Sequence, residues 1–323
     1  MIQQNPVYRS DPNGETQPVL IPESDPLAHY QPIRVPRSVR PPARRPRRGG
    51  CGCLPLLLAL ILPLCLISAA FLLTPLPTRL LILGIDRTPD GTALGRSDTI
   101  ILAQINPLKP DVRLLSIPRD LWVPIPGNGE NLINTAHFFA EANQPGSGPK
   151  ATLQVINESF GVPVRYYVRI RFDGFLNVIN AMGGVDLVLS KPMGKYEAGT
   201  HHLNGEEALA FARDRKGADD FFRMEHAQVL MVSAGRQMLS PLAWGHIPAV
   251  MAALGQSVNT NVPVILWPRL GFALLRATLT GIDTRTITRE MVTPWTTDQG
   301  AQVLLPNWDA INPLMKEMFG AGK

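Results

Sequence analysis

The sequence predicts a single extracytoplasmic α/β domain, a central mixed, largely antiparallel sheet flanked by helices, preceded by one transmembrane helix. Three observations carry this. The uncharged apolar run LPLLLALILPLCLISAAFLL, Leu54 to Leu73, has about the 20 residues that a helix needs to cross a bilayer core. Arginines crowd its N-terminal side in RVPRSVRPPARRPRRGG, whereas TPLPTR on the other side offers Arg79. Beyond residue 74 the chain alternates strand-like and helix-like segments with no internal repeat.

Residues 1–50 are dense in proline, arginine and polar residues and lack an amphipathic period, so they read as a disordered basic tail. Residues 51–74 form the membrane helix, with Pro55 near the entry and Pro63 kinking its middle. A signal peptide would start near residue 1 with a shorter apolar core, so the run reads as an uncleaved anchor. The positive-inside rule then puts the N-terminus in the cytoplasm and residues 75–323 outside, as a single-pass protein of the cell membrane. Beside a membrane helix the basic run sets topology and meets anionic lipid; it does not predict nucleic-acid binding. Cys51 and Cys53 fall at the cytoplasmic boundary, Cys65 in the span and none beyond, so no disulfide framework supports the exported domain. Its stability must come from core burial, for which 45% hydrophobic content is ample.

In chain order, RLLILGI (79–85), TIILAQI (99–105), VRLLSI (112–117), VRYYVRI (164–170) and VDLVLS (185–190) read as strands. Helical spacing covers 131–142 and 151–160, the second ended by Gly161. Asp173 is placed to cap FLNVINAM, which Gly183 and Gly184 stop, and Asn204 with Glu207 forms a capping box for EEALAFA. Longer helices are expected over 221–239 and within 244–280, and Asn307 is placed to cap WDAINPLMKEMF. Trp267 and Pro268 lie in an apolar stretch that reads first as core packing, with contact with the lipid surface as the alternative.

TIILAQI and VRLLSI are joined by the short, turn-rich NPLKPD and pair most simply as an antiparallel hairpin. The start of the first and the end of the second then share one rim, where Arg96 and Asp98 meet Arg119 and Asp120. If RLLILGI runs antiparallel beside TIILAQI, Asp86 and Arg87 join them. A second cluster, FARDRKGADDFFR, holds Arg213, Arg215 and Arg223 with Asp219 and Asp220. Arginine forks bind phosphate bidentately and keep their proton, and Mg2+ takes one or two carboxylates together with substrate phosphates. Such an ensemble resembles a phosphoryl-transfer site. The chain has no Walker A loop, no kinase HRD or DFG pattern and no GxSxG elbow. Its six histidines offer no zinc pattern and read as solvated or core residues.

On these residues the chain resembles the LytR-CpsA-Psr family of bacterial envelope proteins. The blocks are LLILGID (80–86), GRSDTIILAQINP (95–107), VRLLSIPRDLWVPIPG (112–127), INTAHFF (133–139), VRYYVRIRFDGFLNVINAMGGVDL (164–187), HLNGEEALAFARDR (202–215) and DDFFR (219–223), in the family's order. The resemblance implies a membrane-anchored phosphotransferase that moves a glycopolymer such as teichoic acid, capsule or arabinogalactan from a polyprenyl-pyrophosphate carrier to peptidoglycan, forming a phosphodiester. It implies Mg2+, or alternatively Mn2+, with Asp86 and Asp98 as ligands. Arg96, Arg119, Arg213, Arg215 and Arg223 would form the pyrophosphate clamp, and Gln228 would be the family's distal glutamine. Where many members follow the DDFFR-like arginine with Glu-Arg-Gln, this chain has Met224, Glu225, His226, Ala227 and Gln228, which raises the question whether His226 replaces an arginine. The family's lipid-binding tunnel implies an apolar slot among the helices at 151–160, 173–182 and 221–239. Two alternatives use the same arginines: a non-catalytic scaffold or regulator that binds polyprenyl phosphate or wall polymer, and a polyprenyl-pyrophosphate pyrophosphatase.

Overall fold

A computed structural model of the chain describes residues 8–10, 12, 14, 16–18, 53–74, 76–85, 94–107, 111–214 and 220–322. Asp86, Arg87, Arg215 and Asp219, all named above, lie outside them. The chain divides into two compact units, Met1–Leu57 and Leu58–Lys323.

Within the segment read as a disordered tail, β1 (Tyr8–Ser10) and β2 (Thr16–Pro18) pair antiparallel, with Gly14 at φ 86° between them. The helix α1 spans Cys53–Leu73 and contains Pro63. Among the described residues no single helix is long and apolar enough to cross a membrane, and the apolar stretch recognised in α1 runs Leu57–Leu73.

The second unit is built on a six-stranded mixed sheet. Its strands are β3 (Thr78–Ile85), β4 (Ser97–Asn106), β5 (Asp111–Ser116), β8 (Tyr166–Arg171), β11 (Val258–Thr260) and β12 (Ile282–Thr286). The spatial order is β11-β8-β3-β4-β5-β12; β8–β3 and β5–β12 are parallel and the other pairs antiparallel. The β3-β4-β5 meander is the one the hydrophobic runs predict. Three two-stranded ribbons flank the sheet: β6 (Trp122–Ile125) with β7 (Gly129–Leu132), β9 (Val185–Leu189) with β10 (Gly199–Leu203), and β13 (Val292–Thr296) with β14 (Gln302–Pro306).

The helices of this unit are α2 (Thr135–Asn143), α3 (Gly148–Phe160), α4 (Phe172–Ala181), α5 (Gly205–Ala212), α6 (Asp220–Leu239), α7 (Ile247–Ser257), α8 (Trp267–Thr280) and α9 (Trp308–Phe319). Gly161, in the left-handed conformation at φ 66°, ends α3, because its N–H can turn back to Asn157 O at no Cβ cost. The Asn204–Glu207 capping box of α5 is present in both directions. Two expectations are corrected. Asn131 and Leu132 belong to β7, so the helix expected from 131 starts at Thr135, where the period-2 ribbon gives way to it. Asp173 sits in the first turn of α4 behind Arg171, the residue at the N-cap; there it completes an ion pair with Arg171 at 2.9 Å instead of capping.

Strand alternation sends side chains to both faces of the sheet. Leu81, Leu83, Ile100, Leu102 and Leu115 join Phe160 of α3 and Met315, Met318 and Phe319 of α9 in one core. Leu80, Ile101, Ala103, Val112 and Leu114 face Ala273 and Ala277 of α8, with Met231 and Val232 of α6 half-buried beside them. A third cluster joins α4, β9 and α5 through Ile179, Leu187 and Phe211. At one end of the sheet arginines are structural: Arg79 donates to Phe319 O at 2.7 Å and Arg113 to Met318 O at 2.7 Å, cations on the C-terminal carbonyls of α9.

Candidate active site

At the other end, strand directions gather chemistry. The C-terminal ends of β3, β5, β8 and β12 and the start of β4 share one rim: Ile85 pairs Ser97 and Arg171, and Ser116 pairs Ile101 and Thr286. The β3–β4 register slips between Gly84 and Ile85, so that Ser97 opposes Ile85, Thr99 opposes Gly84, and Asp98 is the extra residue. Such a bulge breaks alternation and re-aims a side chain. Gly84 permits it, since a Cβ there would come within 3.0 Å of Thr99 Cβ.

Asp98 and Arg119 meet as the hairpin predicts. Arg119 Nη1 donates to Asp98 Oδ1 at 2.6 Å, and its Nε lies 3.5 Å from Asp120 Oδ1. Both Asp98 and Arg119 are mostly buried, and a charge-assisted bond out of bulk water is worth more than an exposed pair. The turn bearing Arg119 is fixed by its backbone: Asn134 N–H donates to Arg119 O at 3.3 Å and Leu304 N–H to Asp120 O at 3.0 Å. Arg96 is exposed, in the turn leading into β4.

A cavity of about 210 Å³ opens on this rim, lined by Asp98, Thr99, Ile101, Ser116, Phe172, Arg213 and Arg223 among others. Arg213 follows the last turn of α5, its guanidinium 5.1 Å from the centre of the Phe172 ring. Arg223 is in the first turn of α6, where the helix dipole also favours an anion. Ser116 also lines the cavity, and its Oγ is buried with no hydrogen-bond partner among the described residues. The space therefore has two guanidinium groups and one carboxylate, a charge pattern suited to a phosphate and a divalent cation. Among the described residues no three His, Cys, Asp or Glu side chains converge. Asp98 is the carboxylate of the cavity that would share a cation with phosphate oxygens.

Gln228 is placed elsewhere. Its amide donates to Arg285 O at 2.9 Å, and it lines two other cavities beside α6, of about 750 and 520 Å³, neither of which is lined by Asp98. His226 does not stand in for an arginine: it is buried, stacks on Phe211 at 4.4 Å and lies 3.1 Å from Phe211 O through Nδ1. Burial holds it below the ordinary imidazole value. It braces the end of α5, which presents Arg213. Of the three helices expected to line a lipid slot, α6 borders these three cavities, α4 contributes Phe172 to the first, and α3 is packed into the closed core.

Sequence reasoning missed a buried group behind the rim. His137 Nδ1 is 2.9 Å from Gly95 O, which assigns its proton to Nδ1. Arg169 Nη1 then reaches His137 Nε2 at 3.4 Å and Glu141 Oε2 at 3.2 Å. Glu141 accepts from Gly146 N at 2.8 Å and Gly148 N at 2.9 Å. Burial pushes the Glu141 carboxyl up, but those two N–H groups and the Arg169 charge outweigh it and leave it below its usual value. His137 is lowered by burial, with Arg169 acting in the same direction. The group holds the Gly95 turn two residues before Ser97 starts β4. Gly148 has no room for a Cβ, which would lie 2.6 Å from His137 Nε2. A usable signal was Arg169 within an apolar strand, since a charge there needs a buried partner.

The LytR_cpsA_psr family matches residues 74–319. The chain is 33% identical over 194 residues to the polyisoprenyl-teichoic acid–peptidoglycan teichoic acid transferase TagU of Halalkalibacterium halodurans, covering 58% of this chain and 61% of that one. It spans about three fifths of the length of the curated relatives it matches. Crystal structures with the same fold include B. subtilis TagV, with a TM-score of 0.63 at 26% identity over 77% of this chain and all of that one. TagT bound to LIIa-WTA gives 0.60 at 25% identity, over 76% of this chain and 91% of that one. With the motif blocks, the sheet and the matched span in agreement, the chain belongs to the LytR_cpsA_psr family.

Proposed function

We propose that the protein is a membrane-anchored phosphotransferase that moves a glycopolymer from a polyprenyl-pyrophosphate carrier to a peptidoglycan hydroxyl. One observation carries the reading: a single cavity collects Asp98, Ser116, Arg213 and Arg223, with Arg119 paired to Asp98. The activity of the TagU relative and the LIIa-WTA bound by TagT support the substrate class. The acceptor hydroxyl oxygen forms a bond to the phosphorus next to the sugar, the bridging P–O bond breaks, and polyprenyl phosphate leaves with the electron pair as the hydroxyl proton is released. Arg213 and Arg223, together with Arg96, Arg119 and Arg215, bind the pyrophosphate and stabilise the departing phosphate. Asp98 and Asp86 would hold Mg2+ or Mn2+, which would supply neutralisation of the pyrophosphate charge. The apolar run at 54–73 anchors the chain in the cell membrane, N-terminus in the cytoplasm and residues 75–323 outside.

The test is transfer in vitro from a lipid-pyrophosphate donor to a glycan acceptor. Arg119→Ala is expected to abolish transfer, and full transfer by that variant overturns the clamp. Asp98→Ala is expected to lose turnover; if wild type and variant both only bind lipid, the protein is a scaffold. Phosphate delivered to water in place of sugar identifies a pyrophosphatase.

A further inference from the structure

Arg269, in the first turn of α8, is an unusual surface-helix residue because it is only 7% exposed. Its Nη2 donates to Thr74 O at 2.8 Å and also to Leu76 O, and its guanidinium lies 6.0 Å from the centre of the Phe71 ring. It thus clasps the chain where it leaves α1, spending its charge on backbone carbonyls that have no helical partner there. This clasp fixes what stands next to the exit. Immediately before Arg269, the turn Val264–Leu266 and the start of α8 leave Val264 73%, Ile265 68% and Trp267 43% exposed, and Leu76 on the clasped segment is 66% exposed. Trp267 is therefore not the core residue its sequence context predicts. Its indole N–H is satisfied internally by Val262 O at 3.2 Å, so the outward part of the ring is apolar.

We infer that this patch, Leu76, Val264, Ile265 and Trp267, is a membrane-docking surface that seats the folded unit on the outer face of the bilayer. The inference rests on the proposed reading of α1 as a membrane anchor. The occupant is lipid rather than protein because the patch adjoins the end of an apolar helix whose Leu and Ile side chains between Leu58 and Ile67 are themselves half or more exposed. Exposed aliphatic and tryptophan side chains beside a membrane exit match the interfacial region, where headgroups give way to acyl chains. A tether alone lets the domain tumble above the bilayer. A clasp plus a second apolar contact gives two attachments and so limits which faces of the domain can meet a lipid-linked substrate.

The test uses the full-length chain in phosphatidylcholine–phosphatidylglycerol vesicles, labelled with an environment-sensitive NBD group at one cysteine at a time. The sites are native Cys65 within α1, Ile265→Cys in the patch and Asp298→Cys on the β13–β14 turn, with the remaining cysteines changed to serine. The expected result is a blue-shifted label at 265, quenched by lipid carrying a shallow doxyl group and shielded from iodide, with the label at 298 open to iodide. A label at 265 that behaves like the one at 298, while Cys65 is quenched by deep doxyl lipid, overturns the docking surface and leaves the anchor standing. A label at Cys65 that is open to iodide overturns the anchor, and the docking surface with it.

Discussion

The two faces of the central sheet are built from the same strands and differ in what they leave between side chains. On the face covered by α3 and α9, Leu83, Leu102, Leu115, Phe160 and Ile133 are completely enclosed, and Phe160 meets Trp308 edge-to-face at 5.4 Å. On the face covered by α6 and α8, small residues such as Ala103, Ala273 and Ala277 do the packing, Met231, Val232 and Ile282 are half-buried, and cavities run along α6. Close packing gives the first face its contribution to stability. The second face gives up part of that contribution for space that begins at the arginines. The lesson is that the site's polar rim and its adjoining room come from one face of a sheet whose other face holds the fold.

The largest way to break this contrast is on the closed face. Phe160→Ala is expected to cost about 3–5 kcal/mol, read as a lower urea midpoint. A loss of under about 1 kcal/mol would show that α3 is not the keystone of that face. Next comes the rim: Arg213→Ala is expected to slow transfer by about 10²–10³-fold with the urea midpoint unchanged, because Arg213 is exposed and belongs to the site rather than the core. A shift in midpoint as large as that of Phe160→Ala would assign it to the fold instead. On the open face, Ile101→Ala is expected to cost about 2 kcal/mol, the low end for a buried aliphatic residue, because the adjoining polar cavity can admit water. Equal losses for Leu102→Ala and Ile101→Ala would erase the distinction between the faces.

The smallest effect is the dependence on pH. Burial lowers His137 and His226 in the folded chain, so the unfolded state binds more protons between the unfolded imidazole value, about 6.5, and the folded values. Stability is then fully present above about pH 6.5 and declines as pH falls through that window. Glu141, lowered when folded, adds a loss at more acid pH, below the ordinary carboxylate value. His137→Asn, whose Nδ2 can replace the Nδ1 donor to Gly95 O, is expected to flatten the first decline while keeping transfer activity. Urea titrations at about pH 7.5 and about pH 5.5, on either side of the ordinary imidazole value, check the slope, and an unaltered slope would remove His137 as its source.

Much of this was readable from local pattern. TIILAQI and VRLLSI carry their own pairing, because a six-residue link allows little besides a hairpin, and that pairing already brings Asp98 to Arg119. The Asn204–Glu207 box and the Gly161 stop are likewise local chemistry. Pattern was silent or misleading where the deciding partner is far along the chain. β12 joins β5 from about 170 residues away and supplies, through Arg285 O, the acceptor for the Gln228 amide. Trp267 looked like core because hydropathy counts a residue's preference and not the presence of a neighbour to cover it.

What the sequence determined by itself is therefore five strands, β3, β4, β5, β8 and β9, the β3-β4-β5 meander, and the chemistry of the charged rim, since each depends on residues that are neighbours or nearly so. Only the tertiary structure decided the bulge that frees Asp98, the parallel additions of β8 and β12, the His137–Glu141–Arg169 brace and the exposed patch beside α1. Those depend on which distant backbone pairs with which, and side-chain periodicity records a residue's burial without recording its partner.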